Sequence, residues 1–280
     1  VTTTVASPAV GGRTVRAAIP VVSNHIPIRQ AVANSLTMAY RGILKIKHNP
    51  EQLFDVTLQP IIFTLMFTYI FGGAISGNVH SYLPVIIPGI LVQTVITTSI
   101  VTGTQLREDM DKGVFDRFKS LPIARIAALA GALTADMVRY GIATVLTIVM
   151  GLIMGYRPGG GVLGVVAAAV VIVACSFAVS WIFALMGVLM SSASAVQGVS
   201  MLILFPLTFM SSAFVPVKTM PGWLQGFVNV NPVTHLVYAC RELMNNGNFT
   251  SPHLAWSLLG AVVVVLIFAP LTVRMYMRKA

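Results

Sequence analysis

Apolar residues in this chain come in long unbroken runs rather than in alternating or strictly amphipathic patterns. Six segments carry them, at roughly residues 53–72, 84–106, 137–156, 162–190, 198–215 and 254–274. A helix rises about 1.5 Å per residue and needs about 20 apolar residues to cross the hydrocarbon of a bilayer. Each run therefore predicts a membrane-spanning helix, the fourth long enough to tilt or to project beyond the bilayer. The pattern as a whole predicts an all-α integral membrane protein with six transmembrane helices. Between the fifth and sixth spans, Val233 to Leu243 is apolar but too short to cross, which predicts a re-entrant or interfacial helix within an external segment covering 216–253. A loop carrying a surface helix, with no part in transport, fits that stretch equally well.

The region before the first span divides in two. Residues 1–28, rich in Thr, Val, Pro and Gly, read as a mobile cytoplasmic tail with no apolar core of the signal-peptide kind. Over 29–48 a helical period appears. Val32, Leu36, Tyr40, Ile43 and Leu44 fall near one face, with Arg41 and Lys45 on another. Such a helix lies in the headgroup region with its basic side toward anionic lipid; a cytosolic helix packed on a neighbour is the alternative. Asn49-Pro50-Glu51-Gln52 reads as the start of the membrane domain that fills 49–280. Asn49 caps, Pro50 takes the first helical position and Gln52 completes a capping box. Pro60 predicts a kink in the first span.

Composition agrees with the pattern. The chain is 56% hydrophobic and 9% charged, with a mean hydropathy of +0.85, against roughly 25% charged residues in soluble domains. That excludes a soluble globular protein and a disordered one. A net charge of +10 in a soluble protein would suggest nucleic acid. Here fourteen of the eighteen Lys and Arg residues lie before span one, between spans two and three, or after span six. Basic residues stay on the cytoplasmic side, so both termini are expected there and no nucleic-acid partner is implied; twelve Arg against six Lys point to a bacterial cell membrane.

Three features bear on function. The loop from Gln105 to Pro122, within a cytoplasmic segment of 107–125, concentrates charge and places Phe115, Phe118 and Leu121 at helical spacing. Aromatic knobs beside charges suit docking on a soluble partner; a solvated connector is the plainer alternative. In the external segment, Trp223, Phe227 and Tyr238 are of the type found at membrane interfaces. Asp136 and Arg139 sit three apart on one helix face and can pair, near the cytoplasmic end, where Arg can also snorkel. Absences count too. Spans four and five hold no Asp, Glu, Lys, Arg or His, and no G-x-x-x-x-G-K-[ST] phosphate loop occurs. No metal-ligand cluster is visible, and the two cysteines are too few for a disulfide framework. A secondary transporter, the alternative of another class, would show internal repeats and midplane ionisable groups.

The loop Lys112-Gly113-Val114-Phe115-Asp116-Arg117-Phe118-Lys119-Ser120-Leu121-Pro122-Ile123-Ala124-Arg125 resembles the cytoplasmic loop of type-2 ABC exporter permeases. Ser211 to Pro216, Thr219 to Leu224 and Asn231-Pro232-Val233-Thr234 resemble the daunorubicin/doxorubicin-resistance membrane subunits of that family. The resemblance covers nearly the whole chain and implies a half-transporter without its own ATPase motif. Two ABC ATPase subunits would carry ATP and Mg2+, no cofactor would sit in this chain, and a second permease copy or a related chain would complete the assembly. Glu108, Asp111, Gly113, Phe115, Asp116, Arg117, Phe118 and Leu121 would couple to the ATPase. Pro216, Trp223, Asn231, Pro232 and Arg241 would belong to the external gate. Spans one, two and five would line the route, with Phe63, Phe67, Gln93, Phe205, Phe209 and Met210 as its candidate walls. The implied cargo is a hydrophobic small molecule, a drug or antibiotic, or a lipid. Export of a lipid-linked polysaccharide or teichoic-acid-type glycan is the alternative within the same assembly.

Overall fold

The computed structural model describes residues 37, 50–113 and 125–279. Every regular element among them is helical: α1 (Pro50–Ser76), α2 (Val79–Thr98), α3 (Ile100–Asp111), α4 (Arg125–Ile153), α5 (Gly161–Leu189), α6 (Ala193–Phe209), α7 (Gly222–Val230), α8 (Pro232–Arg241) and α9 (Pro252–Lys279). A 3₁₀ turn at Val217–Thr219 and a π turn at Glu242–Asn246 complete the set. The expected amphipathic helix at 29–48, Thr37 apart, and the Asn49 cap lie outside the described residues. So do Phe115, Asp116, Arg117, Phe118 and Leu121.

Among the described residues, four helical stretches are long and apolar enough to cross a membrane: His80–Asp111, Leu129–Ile153, Gly161–Leu189 and Pro252–Arg278. For the other two expected spans, the fully described apolar stretches are Thr57–Ile70, within the 27-residue α1, and Ala193–Phe209. Several boundaries differ from the hydropathy reading, and three of them bear on the site. α4 begins at Arg125 rather than 137, because the Ala- and Leu-rich stretch Arg125–Leu133 favours helix although it is not strongly apolar. α6 stops at Phe209 rather than 215, and its apolar continuation is irregular backbone held from outside. The second span runs on through Asp111. At Ser99 the backbone stays helical and its N–H reaches the carbonyls of Ile96 and Thr97, so α2 and α3 form one rod.

Residues 107–111 are therefore the last turn of α3 and not part of a separate charged helix. Arg107 pairs with Asp111, and Lys112 lies 3.4 Å from Glu108, both one helical turn apart. Gly113, at φ +62°, ends the rod in the left-handed conformation that glycine adopts without strain.

The α2–α3 rod is the centre of the molecule. Tyr82, Ile86, Ile90 and Val95 are wholly buried along it, in one core with Tyr140 of α4, Phe183 of α5 and Leu204 of α6. A second, smaller core joins Leu106, Leu129, Leu133, Val188 and Tyr276, where α3, α4, α5 and α9 converge. α3 and α5 cross there at backbone contact. A Cβ on Gly187 would stand 2.4 Å from the Gly103 carbonyl oxygen, and one on Gly103 would stand 2.3 Å from that of Phe183. Small residues permit such approach in helix bundles that lack a hydrophobic drive between helices. At this end α3 stops, α4 starts and α9 stops, so Arg107, Lys112, Arg125, Arg274 and Arg278 gather there. Arg157, Lys218 and Arg241 belong to the opposite end.

Candidate functional site

At that opposite end the chain leaves α6 and runs without regular hydrogen bonding through Met210–Pro216, although Ser211 to Phe214 are buried. Carbonyls freed inside a membrane protein need donors, or each costs several kcal/mol. Three side chains, from α2 and from the two ends of α8, supply them. Arg241, at the end of α8, donates to Ser212 O at 2.6 Å and Ala213 O at 3.2 Å. Its Nε and Nη2 also reach Val85 O of α2, at 3.0 and 2.8 Å. Asn231 Nδ2 donates to Leu207 O at 2.7 Å and Met210 O at 2.9 Å, while its Oδ1 accepts from Val233 N and caps α8. Tyr82 donates to Phe214 O at 2.5 Å. Gly89 lets this strap lie against α2, since a Cβ there would sit 1.9 Å from Ala213 O.

A second brace lies beside the first. Pro88 has no N–H, so it leaves the carbonyl of Pro84, four residues back, without its helical donor. Asn245, in the π turn, donates to Pro84 O at 2.9 Å, and its own Oδ1 accepts from Tyr156 at 2.6 Å. Of the five residues expected at the external gate, Asn231 and Arg241 thus hold the helix break. Pro232 is the first residue of α8, Pro216 precedes the 3₁₀ turn, and Trp223 is exposed on α7. Tyr82, Gly89, Tyr156 and Asn245 were not expected. The Pro84/Pro88 pair is the signal that could have found Asn245, because it announces a carbonyl in need of a donor.

His235 and His253 lie beside this brace, with Nδ1 atoms 3.0 Å apart, and the His253 ring packs on Tyr238. Burial holds His235 below the usual histidine range, with His253 adding to the effect against a hydrogen bond to the Asn229 backbone.

Four of the expected route residues meet in one aromatic ladder. Phe63 stacks on Phe67, Phe67 on Phe214, Phe214 on Phe209, and Phe209 on Phe205, with centroids 4.4 to 5.5 Å apart. The ladder joins α1 to α6 and includes the strap. Gln93 is buried elsewhere on α2, and its Oε1 has no partner among the described residues. Met210 enters through its carbonyl alone, which Asn231 takes.

At the other end a polar cluster ties α3 to α4. Arg139 Nη1 lies 2.6 Å from Asp136 Oδ1, with both side chains buried. Thr102 donates to Asp136 Oδ2 at 2.6 Å and lies 3.0 Å from the Tyr140 hydroxyl; Arg139 Nη2 reaches Gln105 Oε1 at 3.4 Å. Arg139 does not snorkel to the bilayer edge as it could have. Its carboxylate and amide partners lie inward, on α3 and on its own helix. Arg107 extends the frame to α5 by donating to Met190 O at 2.9 Å. The helices that enter and leave the connector 112–124 are thus held as one unit, with Glu108, Asp111 and Gly113 at its rim.

Residues 34–245 match the model of the ABC-2 type transporter family. The chain is 46% identical over 250 residues to the daunorubicin resistance ABC transporter permease protein DrrB1 of Streptomyces coeruleorubidus, covering 89% of this chain and 88% of that one. It is 24% identical over 246 residues to the probable doxorubicin resistance permease DrrC of Mycobacterium tuberculosis, covering 88% and 89%. With the putative transport permease ycf38 of Cyanophora paradoxa it shares 24% over 213 residues, covering 75% and 73%. A polytopic bundle of apolar helices, broken and braced at one end and framed by a buried ion pair at the other, thus belongs to the ABC-2 type transporter family as a multi-pass membrane permease subunit.

Proposed function

We propose that this chain is the membrane half of a drug exporter, moving a hydrophobic, antibiotic-like molecule out of the cytoplasm or inner leaflet. ATP and Mg2+ belong to a separate ABC ATPase present in two copies, and a second permease chain, identical or related, completes the pathway. The substrate class rests on the similarity to the daunorubicin resistance permease, sustained over nearly nine-tenths of both chains. The observation that carries the coupling is the ion-pair frame: Thr102 of α3 is bonded to Asp136 of α4, whose partner is Arg139, about three helical turns from residues 112–124, and Leu106 packs with Leu129 and Leu133 nearer to them. An ATPase that grips the connector then tilts both helices as a rigid pair instead of prying them apart.

In this reading the chain crosses the membrane six times, α1 and α6 included, with both termini in the cytoplasm. The segregation of basic residues to the α3/α4/α9 end supports that orientation. The strap and α8 then form the external gate. Their carbonyls are satisfied by donors from α2 and α8, so a shift of α2 relative to α6 exchanges one set of contacts for another. That gives two discrete states rather than a continuum. The ladder from Phe63 to Phe205, which contains the strap residue Phe214, offers an apolar wall to a planar cargo on that route.

Inverted membrane vesicles containing the chain and its ATPase test the proposal. ATP-dependent uptake of daunorubicin, absent when either subunit is omitted, is the expected result. ATP-dependent movement of a lipid-linked glycan without any effect on drug would replace the substrate assignment.

A further inference from the structure

An apolar cavity of about 200 Å³ lies between α5, α6 and α9, with the first turn of α8 as its roof. It is separate from the aromatic ladder. Its polar wall groups are few. The Cys175 thiol points to Ser257 O at 3.8 Å, and Ser257 Oγ donates to His253 O at 2.8 Å; the indole N–H of exposed Trp256 is the further donor of the lining. A ligand with a charged amine would lose its water here and find no carboxylate among the lining residues, which is costly. Hydrocarbon loses nothing.

Size and position point the same way. Apolar cavities of about 150 Å³ stay dry and take up small apolar molecules such as benzene; this one is larger. That leaves room for a stretch of alkyl chain bulkier than benzene. Its mouth is at the surface, because Ile203 and Trp256 both line it and are exposed, 40% and 62%. That surface continues along α9 through exposed Leu259, Val263 and Ile267 and is the apolar face of a membrane protein. Gly260 opens the wall further, since a Cβ built there meets nothing within 4 Å.

We propose that this cavity holds one acyl chain of a membrane phospholipid. The chain enters between α6 and α9 beside Trp256 and lies beneath Pro232 and Leu236. It keeps α6 and α9 apart directly under the Asn231 cap that ties the helix break. The site is distinct from the drug route, and its test requires neither drug transport nor ATP.

The full chain is reconstituted in vesicles of phosphatidylethanolamine and phosphatidylglycerol containing a phosphatidylglycerol with a diazirine midway along one acyl chain. After illumination the adducts are mapped by mass spectrometry. The expected adducts concentrate on Cys175–Phe183 and Trp256–Val264 and survive dilution with unlabelled lipid better than those on Val166 or Leu202. Gly260→Phe puts a ring into the open space and should cut the cavity adducts about tenfold, since ring and chain cannot share one close-packed volume. Gly260→Ala should retain them and serves as the folding control. Val264→Phe, from the neighbouring turn of α9, should repeat the loss if Gly260→Phe cannot be recovered folded. Adducts spread evenly over all exposed apolar residues, unchanged in both Phe variants, would overturn the proposal. Displacement of the cavity adducts by micromolar daunorubicin would assign the cavity to the drug, and labelling of the exposed apolar residues with the cavity left unlabelled would mean that protein, not lipid, fills it. Either result overturns the lipid assignment.

Discussion

Removing one partner of the Asp136–Arg139 pair should cost far more than removing both. The pair lies 2.6 Å apart with side chains only 4% and 2% exposed, so solvent screens it little. Arg139→Ala takes away the guanidinium that balances the Asp136 carboxylate. Thr102 still donates to that carboxylate, but a hydroxyl does not replace a charge. Breaking a buried pair from one side costs about 3–5 kcal/mol. At about 2–4 °C per kcal/mol for a chain of this size, the melting temperature should fall by roughly 10 °C. Asp136→Ala should behave similarly, by exposing Arg139 to the same imbalance. The double change Asp136→Leu with Arg139→Met fills the space with hydrocarbon. It should lie within about 1 kcal/mol of the native protein or above it, because the desolvation of both charges disappears with them. Tryptophan fluorescence of the purified chain, followed through thermal unfolding in one detergent, gives the cycle. Single variants that melt within two or three degrees of the native protein, or a double variant that loses the sum of both, would refute the frame. Transport by the stable double variant then separates rigidity from charge. If the pair acts only by fastening α3 to α4, drug-stimulated ATPase activity persists.

Other consequences follow from the braced break. Gly89→Ala drives a methyl into Ala213 O, so the strap must shift; a loss of about 1–3 kcal/mol is expected, read by unfolding, together with reduced drug efflux. Arg241→Met leaves the carbonyls of Ser212 and Ala213 without their donor and should cost about 2–4 kcal/mol. Arg241→Lys should not restore them, because one ammonium cannot cover the fork that spans α2 and the strap. Acidification should loosen the His235–His253 contact. Burial, then His253, lowers the folded-state value of His235, so its contribution is present above the unfolded value of about 6.5 and is lost as pH falls through the lowered one. A melting temperature that declines from neutral pH toward pH 5, and declines less in His235→Gln, is the expected profile.

Much of the bundle could be read from the chain, and the reasons for the rest are physical. α5 is visible because Gly161–Leu189 contains no Asp, Glu, Lys, Arg or His. Its length and hydropathy leave no other fate. The pairing of Asp136 with Arg139 follows from their three-residue spacing. Their burial does not, because it depends on Thr102 and Gln105 arriving from α3. The end of α6 is hidden for a similar reason. Met210–Val215 is as apolar as the helix before it, and what makes an irregular path stable there is a set of donors at Tyr82, Asn231 and Arg241, distant in sequence. α4 starts early because Ala-rich sequence favours helix without looking like a membrane span. The charged residues after Leu106 continue α3 because their partners are one turn away, a spacing that is plain once the helix is drawn.

The central claim is that the connector between α3 and α4 is where an ATPase delivers its work. The most direct measurement is co-purification of the tagged chain with its ATPase after gentle solubilisation, for the native protein and for the double reversal Asp116→Arg with Arg117→Asp. Coupling at this connector gives one ATPase per permease chain in the native preparation and loss of the ATPase from the reversed one, with membrane insertion and melting temperature unchanged. A homogeneous chain with no ATPase, or an ATPase retained in full by the reversed variant, would contradict it.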